Sequence, residues 1–135
     1  AHYSGAVTLT NLETSYNYGD GVYVIARKQI TLKDHHASYN YNGGSGAYLD
    51  TDGGVSVLNP GGTNWNYYGS NADSNLVITA GGTVLVQKVD SYNSDTGFGV
   101  SITTPGKVTI ATLTTESNDL SGLVVMTDSS TAALP

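Results

Sequence analysis

A chain of 135 residues with a formal net charge of −6, five basic residues and no cysteine excludes several function classes at once. Nucleic acid and anionic membrane surfaces both need clustered cations, while disulfide scaffolds, zinc–thiolate centres and thiol catalysis need the missing cysteines. Charged residues make up 12% and hydrophobic residues 39%, so Ser, Thr, Asn, Gly and Tyr must cover the surface, a composition that suits a secreted β protein. No run reaches the ~18 apolar residues of a membrane helix, and no membrane insertion is expected.

One signature returns five times. Its cleanest copy, GAVTLTNLETSYNYGDGVYVIA at 5–26, opens on an alternating strand with Val7 and Leu9 on one face. A Ser-aromatic-Asn corner follows at Ser15, Tyr16 and Asn17, then a Gly-rich turn into a second alternating strand with Val22 and Val24. The second copy reads QITLKD at 29–34, SYN at 38–40 and GAYLD at 46–50; the third GVSVLN at 54–59, NWN at 64–66 and NLVIT at 75–79. The fourth reads TVLVQK at 83–88, SYN at 91–93 and GVSIT at 99–103; the fifth KVTIAT at 107–112, ESN at 116–118 and GLVVM at 122–126. A short third strand is expected just before the corner, at Leu12–Thr14, His36–Ala37, Val89 and Leu113–Thr114.

Alternation of period two, rich in β-branched residues, marks strands with one buried face. A signature recurring at this spacing marks a solenoid, each copy being one coil that cannot bury its core alone. The expected fold is all-β: a right-handed parallel β-helix of about five coils over 1–126, with 127–135 a tail or inter-subunit strap. Right-handedness follows the usual hand of parallel crossovers. An antiparallel β-sandwich is the rival; identity at matched positions of successive coils favours stacking over it. No stretch has helical periodicity. A glycine precedes four of the five closing strands and Asn75 the third, read here as residues that tolerate a left-handed backbone.

The runs GAVTLTN…SYNYGDGVYV and QITLKD…SYN…GSGAYLD resemble the repeats of very large bacterial surface proteins, the filamentous-haemagglutinin-like and adhesin-like chains. The resemblance covers about residues 5–126 and is strongest in the first two coils. It implies a right-handed parallel β-helix, export, and a role in adhesion, surface coats or filaments. This chain is much shorter than such proteins.

The corner residues Asn17, Asn40, Asn66, Asn93 and Asn118 are expected to form a structural amide ladder. Tyr16, Tyr39, Trp65 and Tyr92, with Tyr18 and Tyr41 nearby, are expected to line an exposed aromatic stripe. That stripe is read either as a shield for backbone hydrogen bonds or as a surface for a polysaccharide or neighbouring subunit. A lyase or hydrolase on this fold would need acids converging on adjacent coils; here they scatter, Asp34 falling level with Lys88 two coils on, and no catalytic residue is expected. His35 and His36, adjacent and therefore on opposite faces of a strand, are unsuited to one metal and are taken as surface-loop residues. Asp50, Asp52 and Asp73 lie in runs that faintly resemble calcium loops but lack their spacing, so turn chemistry explains them and neither metal nor cofactor is expected. Thr8-Leu9-Thr10 suggests an ice-binding array, which the later coils do not continue.

Neither AHYS nor DSSTAALP has the look of a cap. The coils are therefore expected to continue, within a longer repeat chain or by end-to-end stacking of a homopolymer. The expected role is a structural subunit or repeat segment of an extracellular filament or adhesin at the cell surface, the alternative a carbohydrate-binding module.

Overall fold

The computed structural model describes residues 2–38, 44–60 and 66–127. Among them are twelve strands and no helix. The first coils hold β1 (His2–Tyr3), β2 (Val7–Glu13), β3 (Val22–Ala26), β4 (Ile30–Ser38) and β5 (Ala47–Thr51). Then come β6 (Val55–Leu58), β7 (Asn66–Gly69), β8 (Leu76–Ala80), β9 (Val84–Tyr92), β10 (Val100–Thr103), β11 (Val108–Glu116) and β12 (Leu123–Met126). All pairings between them are parallel. One sheet runs β1-β3-β5-β8-β10-β12 and the other β2-β4-β6-β9-β11, with β7 joining β6 between β4 and β9. The chain is a parallel β-solenoid of about five coils, not an antiparallel sandwich. The expected tail lies, from residue 128 onward, outside the described residues.

The register follows the apolar rows. Val7, Ile30, Val55, Val84 and Val108 stack in one column, and Val22, Ala47, Leu76, Val100 and Leu123 in another. In the middle coils these side chains have no exposure at all: Ile30, Leu32, Leu49, Val57, Leu76 and Val86 are each at 0%. Burial of each such side chain contributes about 1.5–3 kcal/mol, which is why the fold needs a stack and not a single coil.

Two bends recur from coil to coil at matched positions. Asn11, Asp34, Lys88 and Thr112 take a left-handed backbone with φ between 48° and 69°. Tyr16, Asn93 and Ser117 do so again five residues later in coils 1, 4 and 5, and Ser70 does so in coil 3. None of these eight residues is glycine, so each bend costs roughly 1 kcal/mol of local strain that the stack must hold in place. The first bend also changes the phase of the strand. Inward residues run Ile30, Leu32, His35, Ala37 and Val84, Val86, Val89, Ser91, so the spacing is two, three, two.

The glycines before the closing strands have a different cause from the one expected. Gly21, Gly46, Gly99 and Gly122 do not take a left-handed φ, and Asn75 does not either. They are needed for space. A Cβ on Gly21 would stand 2.5 Å from the carbonyl oxygen of Gly46, and one on Gly99 2.6 Å from that of Gly122. The next coil simply passes too close. Gly99→Ala is expected to cost about 1–3 kcal/mol through overpacking, whereas Gly19→Ala, whose Cβ meets nothing within 4 Å, should leave the urea midpoint unchanged.

Candidate functional site

Polar side chains enter the solenoid at the inward positions beyond the first bend. His35, from β4, is fully buried, so it is a core residue and not the surface-loop histidine expected; its neighbour His36 faces outward. The His35 ring is hydrogen-bonded through Nε2 to the Thr14 hydroxyl at 2.8 Å and through Nδ1 to the Tyr68 hydroxyl at 3.1 Å. Tyr68 is itself fully buried and its ring meets that of His35 edge-on at 5.3 Å. Desolvation, with a smaller contribution from His36, lowers the His35 pKa to about 4. Burial pushes the Tyr68 phenol well above its ordinary value. This cluster therefore sits in the core as a neutral hydrogen-bonded chain at neutral pH.

The second polar cluster is built from amides. The Asn75 side chain accepts from Asn71 Nδ2 at 2.6 Å and donates to Ser91 Oγ, the Tyr92 carbonyl and Asn118 Oδ1 at 3.2, 3.0 and 3.1 Å. Asn118 Oδ1 also accepts from the Ser94 amide, and Asn71 Nδ2 reaches the Ala37 carbonyl. Asn71 and Asn75 are completely buried.

Of the five expected ladder residues, Asn118 joins this network, while Asn66 and Asn93 stand elsewhere. Asn66 is level with Val89 and Leu113, two places along the strand from Tyr68. It accepts from the His35 amide and donates to the carbonyls of Leu58 and Gln87, bridging the coil where its strand is interrupted between β6 and β7. Asn93 is exposed, occupies the second bend and donates to Ser70 Oγ at 3.3 Å. Asn17 is exposed and follows the bend in its coil as Asn71 and Asn118 do in theirs. Asn40 lies outside the described residues.

The aromatic positions are likewise offset. Tyr16 is 67% exposed and at the second bend; Tyr18 is 85% exposed. Tyr92 sits one residue before the bend, level with Gly69 and Glu116. It meets Tyr67 at 5.5 Å, and Tyr67 meets His36 at 4.7 Å, all edge-on. These rings close over Gly69, where a Cβ would stand 2.7 Å from the Tyr67 hydroxyl and 2.9 Å from Cε1 of Tyr92. Tyr39, Tyr41 and Trp65 lie outside the described residues. A separate pair, Tyr23 and Tyr48, stacks at 5.1 Å with planes 15° apart. Desolvation first, then Asp50, Tyr23 and Asp20, raise the Tyr48 phenol above its ordinary value.

Among the described residues no three His, Asp or Glu side chains come together. Asp20 serves its turn, accepting from the Ser45 amide at 2.7 Å. Chemically, the described interior is a structural polar core, and the outer face offers hydroxyl, amide and aromatic groups. No protein-family model, no curated protein and no solved structure matches this chain.

Proposed function

We propose that this chain is a non-catalytic structural element of an extracellular filament or adhesin shaft, lengthened by stacking one β-coil on the next. The observation that carries this reading is the state of the last coil. Leu123 and Val125 occupy the column positions at which Val100 and Ile102 are completely buried, yet they are 39% and 40% exposed. Val108, Ile110 and Leu113 in β11 are likewise only partly covered. Among the described strands β11 and β12 end their sheets, and an apolar row at a sheet edge is a template for another coil, from the same chain or from another. The charge-poor, hydroxyl-rich surface and the resemblance to adhesin-like repeats support the surface location. Negative-stain microscopy of the purified chain tests the reading: rods of uniform width are expected. Compact particles that stay monomeric at high concentration would overturn it.

A second reading is favoured by the exposed Tyr16 and Tyr18 rings and by the His36–Tyr67–Tyr92 cluster. Aromatic rings among hydroxyls and amides suit a polysaccharide. On a glycan array this reading expects binding that Tyr16→Ala or Trp65→Ala abolishes; an empty array removes it.

A further inference from the structure

We propose that Tyr23 and Tyr48 form an oxidative cross-linking site, at which hydrogen peroxide used by a peroxidase joins the two rings as dityrosine and staples the first coil to the second. Coupling requires only the coil-to-coil register and does not depend on whether copies stack.

The two tyrosines stand directly opposite each other on β3 and β5. Among the described residues no other tyrosine pair does so: Tyr67 is level with His36 and Asp90, and Tyr92 with Gly69 and Glu116. Parallel strands pair at about 4.8 Å, and here the ring centroids are 5.1 Å apart with planes 15° from parallel. Tyr67 and Tyr92, by contrast, meet edge to face at 61°. The flanking Val22, Val24, Ala47 and Leu49 are buried, so both backbones are held while the rings stand on the outer face. Tyr23 is 43% exposed and Tyr48 half-buried, within reach of an oxidant that the fully buried Tyr68 does not meet.

The step balances in peroxide. Each phenol gives up its hydroxyl hydrogen as an electron and a proton, and one hydrogen peroxide takes up both and leaves as two waters. The unpaired electron of each tyrosyl radical spreads onto the ring carbons ortho to the oxygen. A bond forms from Cε of one ring to Cε of the other, and the hydrogens on those carbons pass to the two oxygens as aromaticity returns. The product has lost two hydrogens and keeps both hydroxyls. Desolvation first, then Asp50, Tyr23 and Asp20, raise the Tyr48 phenol. It therefore enters the reaction protonated, and the two carboxylates favour removal of an electron from the ring beside them. Side chains on an exposed face reorient quickly, and rings held in contact meet far more often than rings on separate molecules. The chain has no cysteine, so a covalent link between its coils must use another side chain. A bond between residues 23 and 48 removes conformations from the unfolded chain and stabilises the folded one.

The test treats the natural chain, at low concentration, with a peroxidase and limiting hydrogen peroxide. Expected are dityrosine fluorescence at monomer mass on a denaturing gel, a proteolytic peptide pair that mass spectrometry assigns to Tyr23 joined to Tyr48, and a raised urea midpoint. Tyr23→Phe and Tyr48→Phe keep the stacked rings but lack the phenolic hydrogen. Each should abolish that peptide pair and the gain in midpoint, with circular dichroism checking that both fold. Dityrosine that maps only to other tyrosines, or only to links between molecules, overturns the site. A Tyr23–Tyr48 bond that leaves the midpoint unchanged overturns its role as a staple. Oxidised chain without dityrosine overturns both.

Discussion

Asn75→Ala is expected to lower the unfolding free energy by about 2–4 kcal/mol, measured by urea denaturation at neutral pH. The side chain has four hydrogen-bond partners with no exposure to water, three of them acceptors that share the two Nδ2 protons. Alanine loses all four and leaves a void between coils. The loss falls short of four full desolvation penalties because several partners keep another bond. Asn71 Nδ2 still reaches the Ala37 carbonyl, Asn118 Oδ1 still accepts from Ser94, and the Tyr92 carbonyl still accepts from the Ser70 amide. Asn75→Gly separates the amide from the backbone, because Gly46 and Gly99 fill the same column in adjacent coils. It should lose as much as alanine or slightly more. Asn93→Ala makes the contrast: its amide is exposed and its cost, about 1 kcal/mol, comes from placing alanine in a left-handed bend. Equal effects at Asn75 and Asn93 would show that the buried network is not what holds the coils in line.

How much of this was legible in the residues depends on the phase of the strand. Val7, Ile30, Val55, Val84 and Val108 alternate cleanly with Thr8, Thr31, Ser56, Leu85 and Thr109, so both the columns and their register can be read directly. Reading fails past the first bend. There a non-glycine residue in the left-handed region, such as Asp34 or Lys88, advances the inward face by three positions instead of two. The signal exists in the run Val84, Val86, Val89, but in the second and third coils the inward places hold His35 and Asn66, which look like surface residues. The SYN motif misleads for a related reason. At 15–17 its tyrosine is the bend residue, while at 91–93 its asparagine is, so matching letters places the two copies one residue apart. The backbone aligns by its bends. Asn75 was visible as the exception in a glycine row, yet the cause of that row, the close passage of the next coil's carbonyl, is a tertiary fact with no local signature.

His35 makes the solenoid acid-sensitive over a defined window. Its folded pKa, about 4, lies below the ordinary value near 6.5 because burial among Thr14, Tyr68 and Asn66 penalises the imidazolium and His36 adds a smaller repulsion. Between these values the unfolded chain binds the proton and the folded chain does not. The stability tied to the neutral ring is therefore whole above about pH 6.5 and declines as the pH falls toward 4, where the folded ring also protonates. A shift of this size corresponds to about 3 kcal/mol across the window. His35→Gln keeps hydrogen-bonding groups near Thr14 and Tyr68 but does not titrate. The expected result is that the advantage of the natural chain over His35→Gln, read from urea midpoints at pH 7, 5.5 and 4, shrinks by about 3 kcal/mol from the first to the last. His36→Gln, on the outer face, should retain most of the slope and narrow the window slightly, since it removes the repulsive neighbour. A stability difference that stays constant with pH would mean that the His35 ring is hydrated in the folded chain. The slope also locates the weak point of the stack. His35 lies in the second coil and its partners Thr14 and Tyr68 in the first and third, so protonation acts across three consecutive coils, and acid should loosen the array from within before its closing strands separate.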